Sequence, residues 1–303
     1  MRLSLLARRP GITVLIGAVA IAFSGILYRL SHVSPSTGAF YRCVWALPLL
    51  WIASIYEERR WGPRPIQSRV YAWIAGVFFA ADLVLWHNAV DMVGAGLATV
   101  LGNIQVVLVG LLAWVLLRER PSNASLGAIP VVAVGIVLIS GVLEAGAYGE
   151  NPQLGAVLGV LTGVAYSGFL LALRQGGRGV IGPGGPLFDA TLSAAFGCLI
   201  IGLVLGDLDF TPSLAAQGWL ILLALTSQVL GWLLIAISLP RLPAVVTSVS
   251  LTFQPLCSVL LAALILSESP SGLQLLGAAG ILVGLVVASL GRRAPPPEPE
   301  LAG

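Results

Sequence analysis

The stretch Val93 to Ser122, VGAGLATVLGNIQVVLVGLLAWVLLRERPS, recurs without a gap as Leu242 to Ser271, LPAVVTSVSLTFQPLCSVLLAALILSESPS. Ala95 meets Ala244, Gln105 meets Gln254, and Glu119, Pro121 and Ser122 meet Glu268, Pro270 and Ser271. Leu and Ala matches arise between any two apolar helices, but a glutamine and a Glu-x-Pro-Ser ending in one register do not. A second echo pairs Ala22-Phe23-Ser24-Gly25-Ile26-Leu27 with Ala165-Tyr166-Ser167-Gly168-Phe169-Leu170. The chain carries an internal duplication.

What is duplicated is membrane-spanning. Apolar residues make up 57% of the chain and charged residues 10%, against about a quarter charged in soluble domains. The apolar runs reach about 20 residues, enough to cross a hydrocarbon core as helix, and the alternation of a barrel strand is missing. Helices are therefore the spanning element. All 16 basic residues are Arg, and a net charge of +3 offers nothing to a nucleic-acid partner. Cys43, Cys198 and Cys257 sit in apolar runs without Cys-x-x-Cys spacing, as packed thiols do. With two histidines and no Ser-His-Asp grouping, neither a metal centre nor a catalytic residue is expected, and no cofactor.

Ten spans can be drawn, at roughly 12–30, 36–56, 71–90, 93–117, 126–143, 154–173, 187–205, 219–239, 243–266 and 273–290. The third and fourth are joined through Asp91 and Met92, and the eighth and ninth through Pro240, Arg241 and Leu242, so both pairs must be tight hairpins. The basic segment Met1–Arg9 and the apolar run behind it resemble a signal peptide, but the echo at Ala165 argues that the run is a retained span. With a cytoplasmic N-terminus, fourteen arginines fall on the cytoplasmic side and only Arg29 and Arg42 toward the other, a strong positive-inside bias. Both termini are then cytoplasmic in a cell inner (plasma) membrane. The expected layout is a cytoplasmic start over 1–11, five-span copies over 12–143 and 154–290, and a disordered proline-rich tail over 291–303. An odd repeat inserts its second copy upside down. Inverted repeats are the architecture of secondary transporters, with the site at the midplane between them.

At this point the residues resemble a known family. Phe40-Tyr41-Arg42 at the start of the second span, the Leu-x-x-Trp-x-x-Ala run from Leu83 to Ala89, the Leu-Arg-Glu-Arg-Pro-Ser end of the fourth span, and the Leu-Pro-Ala start and Glu-x-Pro end of the ninth are similar to the EamA branch of the drug/metabolite transporter superfamily. That resemblance implies an all-α membrane protein of ten helices in two inverted five-helix repeats. It also implies export of small metabolites, amino acids and related amphiphiles among them. The alternative is an integral-membrane enzyme or a lipid-handling protein, which would need acid and base groups clustered at one interface. The chain lacks the intramembrane Lys of the phosphate-sugar branches.

Polar groups inside a bilayer cost about 2.5–3.5 kcal/mol each on insertion scales, which makes every one a candidate. The third span holds Asp82, Trp86, His87 and Asn88. Asp82 and Trp86 share one helix face, and a carboxylate beside an aromatic suits a substrate amine or a coupling proton. His87 suits a proton site or a bond to a neighbouring helix. Gln105 and Gln254, as repeat mates, would line a central path from both copies or tie helices together. Asn103 is weighed with them. Pro255 is expected to break the ladder of the ninth span near the midplane, which its mate Val106 would not. Trp86 and Trp232, also mates, would stack on substrate or pack. Tyr41 and Arg42 open the second span near the outer side, where Arg42 would attract a carboxylate or snorkel to headgroups. The partners expected are a small-molecule substrate, the lipid bilayer and a coupling proton.

Overall fold

The computed structural model describes residues 10–118, 120–177, 179–238 and 244–290. Residues 1–9, Glu119, the hairpin expected at Pro240–Leu242 and the tail 291–303 lie outside them. All regular structure among the described residues is helical. In chain order the segments are α1 (Pro10–Ser31), α2 (Pro35–Trp61), α3 (Ile66–Val93), α4 in two pieces (Ala95–Gly102 and Gln105–Leu117), α5 (Asn123–Ile139), α6 (Pro152–Gly176), α7 (Gly184–Leu205), α8 (Leu214–Ser238), α9 (Ala244–Leu266) and α10 (Gly272–Leu290). Eight are long and apolar enough to cross a membrane; α5 and the part of α9 from Thr252 are shorter.

Local chemistry sets the ends. Side-chain oxygens of Ser122, Asn151, Ser213 and Ser271 accept from Ser125 N, Leu154 N, Ala216 N and Gln274 N, satisfying first-turn donors of α5, α6, α8 and α10. Between α3 and α4 one residue, Gly94, reverses the chain at φ +90. That backbone, and the Glu268 carboxylate 2.8 Å from where a Cβ would stand, admit only glycine.

Acidic side chains at helix C-terminal ends show that the copies run oppositely. Glu57, near the end of α2, takes Gly184 N and Gly185 N at the start of α7, at 2.9 and 2.8 Å. Asp207, just past α7, takes Ser36 N at the start of α2, at 3.3 Å. Glu268, just past α9, takes Ala95 N and Gly96 N at the start of α4, at 2.6 and 3.1 Å. In each case the end of a helix in one copy meets the beginning of its mate in the other. Small residues then bring the copies close. A Cβ on Gly76 of α3 would stand 2.4 Å from Ala190 O of α7, and Gly135 and Gly277 put α5 and α10 in mutual backbone contact.

Three helices depart from regularity at membrane depth. α1 is interrupted at Phe23, whose N lies 3.4 Å from Val19 O. α4 tightens at Asn103–Ile104, where Asn103 N is shared between Thr99 O and Val100 O. α8 is a π-helix over Ala224–Gly231. The interruption expected at Pro255 is absent: α9 runs through that residue. The irregular member of the pair is α4, where the Asn103 side chain bonds Thr99 O at 2.8 Å and competes with the ladder. Irregular backbone at this depth is tolerated where it lines a cavity.

Candidate functional site

A small cavity of about 60 Å³ lies among those three interruptions. Its wall draws on both copies. The first contributes Ile21 and Ser24 of α1, Arg42 of α2, Phe79, Asp82, Leu83 and Trp86 of α3, and Thr99, Gly102 and Asn103 of α4. The second contributes Thr162 and Tyr166 of α6, Trp232 of α8 and Gln254 of α9.

Arg42 is only 4% exposed. Because α2 begins at Pro35, this residue sits about two turns into the helix. Its guanidinium turns inward rather than snorkelling along the surface. Its Nε donates to Oε1 of Gln228 at 3.1 Å, and Cζ stands 5.9 Å from the centroid of the Trp86 ring, within cation–π range. Asp82 is 7% exposed on the same wall, and among the described residues its carboxylate takes part in no hydrogen bond. A guanidinium and a carboxyl group thus face one small space of low dielectric, where Coulomb forces on a charged ligand exceed those in water.

The remainder of the wall is aromatic with scattered polar atoms. Edges of Phe169, Tyr166 and Phe79 surround the Trp232 ring at centroid separations of 5.5, 6.1 and 6.4 Å. Trp232 Nε1, Ser24 Oγ and Thr162 Oγ1 are buried with no hydrogen-bond partner among the described residues. A buried polar atom without a partner costs about 1–3 kcal/mol, so three on one cavity wall mark where a polar ligand would satisfy them.

The other expected residues are distributed as follows. Asn103 and Gln254 are on the wall. Gln105, 8% exposed, begins the second piece of α4 and is not on it, so the two repeat-mate glutamines do not share the cavity in this conformation. His87 is fully buried on another face of α3, with Nδ1 2.7 Å from Leu83 O and its ring 4.2 Å from that of Tyr28. The bond to a carbonyl places its proton on Nδ1 and leaves Nε2 unpartnered. Tyr41 donates to Phe210 O at 2.9 Å, also off the wall. Sequence reasoning passed over Gln228, Thr162, Tyr166 and the Ser24 hydroxyl. Depth alone would have flagged Gln228 and Thr162, each a polar residue within an apolar span.

Closures flank the cavity on both sides. At the end that holds the α3–α4 turn, besides the Glu268 cap, Ser258 Oγ donates to Thr99 Oγ1 at 3.2 Å, a Cβ on Gly96 would stand 2.9 Å from the Val259 backbone, and Arg29 pairs with Asp91 at 3.1 Å. Burial pushes the Glu268 carboxyl above its usual range, opposed by the two N–H groups it accepts. Burial and the nearby Glu268 raise the Tyr148 phenol. At the opposite end, Arg64 and Asp189 form a buried ion pair at 2.8 Å alongside the Glu57 cap.

No curated protein matches the chain in sequence. A solved crystal structure of a protein shares its fold, with a TM-score of 0.62 over 97% of this chain and 100% of the other at 19% identity. The EamA-like transporter family matches twice, over residues 9–141 and 153–290. An all-helical fold of two copies, with a charged and aromatic cavity between them, thus belongs to the EamA-like transporter family, membrane transporters of the drug/metabolite type.

Proposed function

We propose that the protein exports a small zwitterionic amphiphile, an amino acid or close relative, across the cell inner membrane by alternating access between the two repeats. The carrying observation is that Arg42 and Asp82 share one cavity with Trp86, Trp232, Tyr166 and Phe79. A guanidinium suits a carboxylate, a carboxylate suits an ammonium group, and the rings suit an apolar or aromatic side chain. Ser24, Thr162, Asn103 and Gln254 supply hydrogen bonds that fix orientation. Caps and ion pairs at both mouths are the contacts that alternate opening would exchange. Asp82 is also the carboxylate that would take up a coupling proton when the amine leaves.

Counterflow in proteoliposomes tests this reading. Vesicles loaded with unlabelled amino acids should accumulate the labelled form of at least one apolar zwitterion. Absence of counterflow across the twenty common amino acids and their N-methylated relatives would reject the substrate class.

A further inference from the structure

Gln228 is fully buried in the middle of the π-helical stretch of α8 and does not touch the cavity. Its amide is used at both ends: Oε1 accepts from Arg42 Nε at 3.1 Å, and Nε2 donates to Thr191 Oγ1 at 3.2 Å. Thr191 of α7 is itself fully buried. This chain of bonds joins α2 of the first copy to α8 and α7 of the second. A guanidinium carries five N–H donors in a planar fork. Gln228 occupies the Nε donor and the Trp86 ring lies nearby within cation–π range, so the donors left for a ligand are those of the two terminal nitrogens. These match the two oxygens of a carboxylate.

We propose that Gln228 is the positioning residue of the site, fixing the rotation of the Arg42 guanidinium so that its terminal fork meets a substrate carboxylate. The π-helical stretch is what delivers it there. A π segment accommodates an added residue in the helix. Were the same residues wound as a regular α-helix, the helix would turn by one residue's step more, about 100°, carrying the amide away from Arg42. The same stretch sends Ser227 Oγ to Ala20 O of α1 at 3.1 Å, so it is held from two sides. An amide also orients the guanidinium without neutralising it, as a carboxylate would, and leaves the positive charge for the ligand.

This inference rests on the zwitterion reading, so its test has two arms. Gln228→Met keeps the length and removes the hydrogen bonds. In 15N-arginine-labelled protein in nanodiscs, the Arg42 Nε–H resonance is identified by its loss in Arg42→Lys. Its exchange with water should be slow in the wild type and at least about tenfold faster in Gln228→Met, the size expected for losing a hydrogen bond to a charged group. Gln228→Glu, whose carboxylate accepts from both Arg42 and Thr191, should restore protection. In the second arm, L-leucine counterflow by Gln228→Met should show KM raised about tenfold with kcat within about twofold of wild type. A purely structural role would lower the amount of active protein and leave KM unmoved. Unchanged exchange in Gln228→Met overturns the hold on Arg42, and faster exchange with unchanged KM overturns its service to substrate. Wild-type protein with a protected Arg42 but no counterflow of any zwitterion would sink the substrate reading and leave the hold standing.

Discussion

Removing the Glu268 carboxylate should unlatch the end of the bundle that it caps, the outer end in the proposed orientation. The carboxylate, in a residue only 6% exposed, accepts Ala95 N at 2.6 Å and Gly96 N at 3.1 Å across the two copies. Its loss leaves two first-turn N–H groups of α4 without an acceptor, at about 1–3 kcal/mol each where buried, and water entering the opened end recovers part of that. A net loss of about 2 kcal/mol in Glu268→Ala shifts the closed-to-open ratio by about 30-fold. The assay is labelling of Asn103→Cys, a cavity position beneath the cap, by a membrane-impermeant maleimide added outside. The background should carry Cys43→Ala, Cys198→Ala and Cys257→Ser. Labelling should accelerate by at least about tenfold in Glu268→Ala. The sign with pH follows from the raised pKa of the buried carboxyl. The closed end binds more protons than the open one, so its stability is fullest in mild acid and falls as pH rises through the interval up to the raised value. Wild-type labelling should therefore quicken toward neutral pH, while Glu268→Gln, which cannot titrate, should be flat. Equal labelling rates for wild type and Glu268→Ala at neutral pH would refute the idea that this cap closes the outer end.

Three other perturbations are expected to behave as follows. Gly76→Ala should destabilise by about 2–3 kcal/mol in thermal unfolding, because its methyl would stand 2.4 Å from Ala190 O, whereas Gly127→Ala, which meets nothing within 4 Å, should be neutral. Asp189→Asn, which breaks the buried pair with Arg64, should cost about 3 kcal/mol and lower the melting temperature, with little change if Glu58 takes over the guanidinium. Deleting Leu225 takes back the residue that the π stretch accommodates, so α8 should wind as a regular helix with Gln228 still facing Arg42 and counterflow retained, and loss of counterflow in a folded, monodisperse protein would show that the π geometry itself is required.

The fold was legible because duplication and hydropathy are written in one dimension. The duplicated register, with an odd count of five spans per copy, led to the inverted pairing that the Glu268 cap displays in space. The depth of Arg42 was not legible, since an arginine near a span boundary snorkels or dives according to whether a partner waits inside. That partner, Gln228, lies some 186 residues away in sequence. The π-helical stretch around it has no compositional signature, because a π turn differs from an α turn by one residue of register and not by residue type. Proline misled for a related reason: α9 keeps its course through Pro255, while Asn103, an ordinary polar residue, bends α4 by bonding Thr99 O. Repeat symmetry also promised a matched pair of glutamines. Register does not say which conformation the halves adopt, and in this one only Gln254 reaches the cavity.

The central claim is that one cavity between the copies reads both charges of a zwitterion. It is tested most directly by competition against L-leucine counterflow with L-leucine itself, leucinamide, which lacks the carboxylate, and N-acetyl-leucine, which lacks the amine. The account predicts that only the intact zwitterion competes in the wild type. Arg42→Gln should lose discrimination against leucinamide, and Asp82→Asn against N-acetyl-leucine. Equal competition by all three compounds in the wild type would contradict it.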